Sequence, residues 1–161
     1  MPIDSAHKSR WMIGEVIFGI PFLLSLVLQF FVPVIITQGL LRLALFPVGI
    51  VFIITGLRII VLARREFARF EQPTDPGFPT NKVIQTGVFS ISRNPLYLSA
   101  VLVFLGIAFM LNNLWAFITL MISIFLCLYV LILPEERYLA KKFGQEYQNY
   151  QASVHRWLGR K

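Results

Sequence analysis

Four long apolar runs, at residues 13–36, 40–63, 95–111 and 114–133, constrain this chain more than any other feature. A bilayer core about 30 Å thick is crossed by roughly 20 apolar residues in a helix. The third run is the shortest, about 17 residues or about 25 Å. The expected fold is therefore all-α. It is a polytopic membrane protein of one domain, residues 1–161, with about four transmembrane helices. The first run is too long for a signal peptide and lacks a small-residue cleavage site after it. Composition agrees, since 57% of residues are hydrophobic and only 14% charged, a larger apolar share than soluble domains carry.

The first span contains Pro21 and Pro33, tolerated where neighbouring groups satisfy the freed backbone. Residues 37–39 make a tight connection. Residues 64–92, with Pro73, Pro76, Gly77 and Pro79, read as a loop, with a short interfacial helix at 64–70. Asn112-Asn113 is the second turn. Pro134 is expected to break the fourth run, leaving residues 135–154 as a C-terminal cytoplasmic amphipathic helix. Its stripe is Leu139, Phe143, Tyr147, Tyr150 and Val154, continuing to Trp157.

All of the 15 lysines and arginines except Arg42 and Arg58 lie in the N-terminal lead, the stretch 64–93 or the tail. The positive-inside rule then puts both termini and the loop at the cytoplasmic face, in a multi-pass protein of a bacterial inner membrane. Arg58, inside the second span, reads as a snorkelling side chain or a pocket charge. Gln29 reads as a helix–helix hydrogen-bonding group. Cys127, the single cysteine, reads as a small apolar-run residue.

Two short polar stretches carry the chemistry. Asn94-Pro95 has the composition of a helix start, whose free N–H groups favour an anion, with Arg93 beside it. Glu135 and Glu136 follow Pro134 in the first turn of the next helix. Glu135 falls on the face of the apolar stripe, where a carboxylate requires a cation. Counting at helical pitch from the Asn112-Asn113 turn puts Glu135 within about one helical turn of the depth of Arg93. The expected pocket has a cation, a helix N-terminus and two acids. It suits a zwitterion with a carboxylate and an ammonium group, such as an amino acid moiety.

The stretch GVFSISRNPLYLS, residues 87–99, resembles the G-x-[FY]-x-x-x-R-[HN]-P-x-Y-x-G block of the isoprenylcysteine carboxyl methyltransferase and phospholipid methyltransferase superfamily. The tail, from Glu135 onward, resembles that superfamily's E-E-x-x-L-x-x-x-F-G-x-x-Y-x-x-Y block. The resemblance implies an integral membrane methyltransferase using S-adenosylmethionine and releasing S-adenosylhomocysteine. The acceptor would be a lipophilic or membrane-associated carboxylate, thiol or amine. By the same match Gly87, Val88, Arg93, Asn94, Tyr97, Glu135, Glu136, Tyr147 and Tyr150 would bind the cofactor. Arg93, Glu135 and Arg156 would serve the reaction, with Arg93 or Arg156 orienting an anionic acceptor. Asn94 stands where carboxyl methyltransferases carry His, and Ser99 stands where Gly is usual. No G-x-G of the phosphatidylethanolamine methyltransferases lies upstream. Membrane lipids are the expected surroundings, and neither a metal nor a nucleic acid is expected. The alternatives are an NADPH-dependent membrane reductase of the steroid 5α-reductase type and a non-enzymatic membrane protein.

Overall fold

The computed structural model describes residues 14–72 and 81–161. The polar lead, with Lys8 and Arg10, and the loop residues Pro73, Pro76, Gly77 and Pro79 lie outside them. Among the described residues the regular structure is helical, apart from two isolated bridges. Three helices are long and apolar enough to cross a bilayer, and a fourth is apolar but shorter. The chain is an all-α, multi-pass integral membrane protein.

Helix α1 spans Gly14–Phe31 and carries Pro21 inside it. It stops before Pro33, which therefore lies in the connection and not within the helix, because proline disfavours helical geometry at the preceding residue. Among the described residues Gln29 makes no bond between helices. Its Oε1 accepts the Val34 N–H at 3.2 Å, tying off the exit of its own helix.

Helix α2 spans Leu40–Arg69 without interruption. The expected interfacial helix at 64–70 is simply its last turns, since residues 64–69 (RREFAR) contain no breaker and several strong helix formers. At 30 residues α2 is about 45 Å long, so its end projects beyond the hydrocarbon. A 3-10 turn at Gly87–Ser90 then leads into α3, Pro95–Met110.

Helix α4, Leu114–Leu126, begins with the Asn113 Oδ1 accepting the Ala116 N–H at 3.1 Å. It does not end at Pro134. It runs through a π-helical turn, Cys127–Ile132, into α5, Leu133–Phe143. Proline clashes with the carbonyl four residues before it, and the wider turn immediately upstream makes room. The break comes instead at Gly144, whose φ of 53° and ψ of −124° suit glycine alone. The expected single helix at 135–154 is thus α5 followed by α6, Gln145–Ser153.

In space α2 packs on α3, α3 on α4, and α4 on α1. The α2–α3 seam runs on small residues. A Cβ at Gly49 would lie 2.5 Å from the Gly106 carbonyl oxygen, and one at Gly56 would lie 2.8 Å from that of Ser99. Both pairs repeat every seven residues, the spacing that keeps small residues on one face so that backbones approach closely. On the other side Phe104 meets Phe18 and Phe22, with ring centroids 5.8 and 5.2 Å apart. The buried hydroxyls of Ser25, Thr119 and Ser123 each donate to a carbonyl of their own helix, so apolar surroundings leave none unpaired.

The two hairpin turns are sewn together at one end of the bundle. Asn112, at φ 49°, accepts the N–H groups of Ile36 and Thr37 and donates to the Thr37 carbonyl. Trp115 Nε1 donates to the Val32 carbonyl at 2.7 Å. At the opposite end, the loop end, the projecting turns of α2 pack under Ile84, Val88 and Phe89.

Candidate functional site

The site forms at the loop end, where the segment before α3 meets α5, α6 and the tail. Gly87 opens it with φ +56°, and a Cβ there would lie 2.7 Å from the Glu66 carboxyl carbon. Glu66 also accepts the Thr86 hydroxyl. The left-handed φ disfavours a side chain at 87, and one there would also push the flexible Glu66 carboxylate aside. Glu66 was not singled out in the sequence. Its only signal there is an acid inside the basic run at the end of α2. Val88 and Phe89 are buried beneath it, with Phe67 and Phe89 edge to face at 5.3 Å.

Asn94 occupies the N-cap position of α3 by its backbone, and Pro95 takes the first turn. The Asn94 side chain does not cap the helix. Its Nδ2 donates across to the Arg156 carbonyl at 3.0 Å. The Arg93 N–H donates to the His155 carbonyl, and the Gly159 N–H to that of Ile91. The tail after α6 is thus strapped onto residues 91–94. Trp157 carries the strap into the apolar cluster of α1 and α4. The apolar stripe expected along the tail is realised in part. Tyr147, Tyr150 and Val154 are buried with Leu139 and Phe143 against them, while Trp157 joins the other cluster.

Arg93 is nearly enclosed, its side chain 7% exposed, and its Nη1 lies 3.2 Å from Glu136 Oε1. Arg156 grips the same carboxylate from the tail with Nε at 2.9 Å and Nη2 at 2.8 Å. The acid that meets Arg93 is therefore Glu136, not Glu135. The depth count, good to about one helical turn, covers both acids, and the face of α5 that meets Arg93 carries Glu136. Glu135 faces α3, where its Oε2 accepts the Tyr97 hydroxyl at 3.3 Å. Arg137, next along α5, is exposed and outside the cluster. Arg156 commits its Nε and Nη2 to Glu136, while its side chain stays 35% exposed.

The hydrogen bonds it donates to Glu136 hold the Arg156 guanidinium above its ordinary pKa. Burial pushes the Tyr147 hydroxyl up to about 12, with the Glu136 charge adding to the shift and the Arg93 charge opposing it. Burial also raises Tyr150, whose hydroxyl donates to the Phe89 carbonyl at 2.6 Å. Both hydroxyls are thus neutral at physiological pH, that of Tyr147 accepting from the Arg93 guanidinium and that of Tyr150 donating. One polar group remains open. Arg93 Nε is buried with no hydrogen-bond acceptor among the described residues, and its Nη1 meets Glu136 only as an ion pair.

The two sequence blocks thus come together at one end of the bundle, with Gly87, Val88, Arg93 and Asn94 from one side and Glu136, Tyr147, Tyr150 and Arg156 from the other. Tyr97 and Glu135 meet beside them. The family model for phospholipid methyltransferases matches residues 44–146, from within α2 into α6. A Haemophilus influenzae (strain ATCC 51907 / DSM 11121 / KW20 / Rd) protein described as uncharacterized is 40% identical over 63 residues, which is 39% of this chain and all of the relative. No solved structure matches the chain significantly. The matched segment takes in the α2–α3 seam, the loop end and both acids, and the chain belongs to the phospholipid methyltransferase family.

Proposed function

We propose that the protein transfers a methyl group from S-adenosylmethionine to a lipophilic acceptor at the loop end, and that this end faces the cytoplasm. The observation that carries the reading is the buried Arg93 guanidinium, held by Glu136 yet with its Nε lacking an acceptor. A carboxylate suits that nitrogen, because charge-assisted hydrogen bonds to guanidinium are strong. Glu135, which a single tyrosine hydroxyl engages, suits an ammonium group. Together they fit the amino acid moiety of the cofactor. When bound, S-adenosylmethionine supplies a sulfonium methyl open to in-line displacement.

The chain's own part is positioning and exclusion of water. Arg93 and Glu135 fix the two charges of the amino acid group. Arg156 is a positioning residue, since it acts through Glu136 to keep the tail strapped down. The left-handed Gly87 and neighbouring Val88 offer backbone to the nucleoside. A carboxylate or thiolate acceptor needs no base, and an amine needs only to be deprotonated, so no side chain is assigned that role. The long apolar faces of the bundle suit an acceptor that arrives from the bilayer.

Two outcomes test this reading. Glu135→Gln should weaken S-adenosylmethionine binding and turnover about tenfold, or about 1.4 kcal/mol, while unliganded stability stays nearly constant. Arg137→Gln should change neither. Equal effects of the two on binding would remove Glu135 from the site. For sidedness, the basic residues motivate the assignment. A cysteine placed at 112 should react with an impermeant label from outside, and labelling only from inside would reverse the orientation.

A further inference from the structure

We propose that the outward face of α2 holds the phosphate of one anionic phospholipid between Arg58 and Arg65. This goes beyond the methyl-transfer reading and does not depend on it. At 100° per residue Arg58, Arg65 and Arg69 fall within about 40° of one another. Gly49 and Gly56, which press against α3, lie nearly opposite on the same helix. The arginines therefore line the side that looks away from the bundle.

All three arginines are exposed. Below them the same face is apolar and also exposed, with Val51 at 63% and Ile54 at 60%. Arg58 lies inside the segment long and apolar enough to cross the membrane. It has no ion pair or hydrogen bond among the described residues. Glu66, the acid nearest in sequence, is turned toward Thr86 and Gly87.

An unpaired guanidinium at this depth is costly. Side chains on a helix lean toward its N-terminus, which for α2 is the turn end. Arg58 must therefore reach against that lean to find water, whereas Arg65 leans down toward it. The two Cα atoms are about 10.5 Å apart along the axis. A phosphate midway lies within reach of both, and guanidinium binds phosphate oxygens through paired N–H groups. The acyl chains of the same lipid would lie along Val51 and Ile54. Arg69 above, which sits over the Phe70 ring at 5.7 Å, disfavours a lipid whose headgroup carries a cation. Charge complementarity thus selects an anionic lipid.

The test is thermal unfolding of the detergent-purified full chain with added short-chain phosphatidylglycerol. The matching diacylglycerol and inorganic phosphate serve as probes of each half of the ligand. Phosphatidylglycerol should raise the unfolding temperature of the wild type, and the two halves should not. Arg58→Gln and Arg65→Gln should each need about tenfold more lipid for the same rise. Arg42→Gln, at the turn end, should respond as the wild type does. An unchanged response of Arg58→Gln, an equal response of Arg42→Gln and Arg58→Gln, or an equal response to diacylglycerol would each overturn the proposal.

Discussion

Glu136→Ala is expected to be among the most damaging single changes in this protein, costing about 3–5 kcal/mol of stability. Glu136 is one carboxylate shared by two guanidiniums, and the exposure of those groups decides the size of the effect. Arg156 is 35% exposed and can turn to water when its partner is lost. Arg93, at 7%, cannot. It would be left as a buried charge whose Nε already lacks an acceptor. The tail would also lose its ion-pair anchor, leaving the bonds from Arg93 N–H, Gly159 N–H and Asn94 Nδ2 and the packing of Trp157 to hold it. Denaturant titration in detergent measures the loss. A second variant separates stability from function. Replacing both Arg93 and Glu136 by methionine removes the stranded charge, and such swaps often restore stability. The double variant should recover most of its stability and still fail to bind S-adenosylmethionine. Binding by the double variant would show that the cluster is only structural.

Gly106→Leu should be comparably severe for a different reason. A Cβ at 106 would sit 2.5 Å from the Gly49 carbonyl oxygen and 3.1 Å from the Ile53 nitrogen. Both are backbone atoms within a helix, so no rotamer change relieves the contact. Overpacking typically costs about 1–3 kcal/mol. Here α2 and α3 must separate along a seam that also sets the start of α3, so the loss should reach or exceed the upper figure, together with site geometry at Arg93 and Asn94. Gly19 is the control. A Cβ there meets nothing within 4 Å, and Gly19→Ala should be neutral or gain up to about 1 kcal/mol from helix propensity. Equal stability of Gly106→Leu and Gly19→Ala would contradict the close seam.

Much of this architecture is legible in the sequence because lipid imposes a length and an apolarity that no local detail overrides. The starts of α2, α3 and α4 fall where their turn residues put them. The departures come where a local rule met a neighbouring one. Pro134 reads as a break, but a helix can widen ahead of a proline, and sequence periodicity does not reveal a π turn. The partner of Arg93 is Glu136, since a depth count good to about one helical turn does not separate two neighbouring acids. Gly144 was visible only as part of a motif, although its backbone angles are what end α5. Asn94 reads as a side-chain cap because its type and position favour one. The carbonyl it reaches belongs to Arg156, 62 residues away, a pairing that local reasoning cannot supply. Glu66 was missed for the same reason, since its partners Thr86 and Gly87 lie across an intervening loop.

The most direct test of the central claim is calorimetric titration of the purified protein in detergent with S-adenosylhomocysteine, alongside NADPH. The account predicts saturable binding of S-adenosylhomocysteine, weakened at least tenfold by Arg93→Ala, and no binding of NADPH. Binding of NADPH in place of S-adenosylhomocysteine, or S-adenosylhomocysteine affinity unchanged in a folded Arg93→Ala variant, would contradict it.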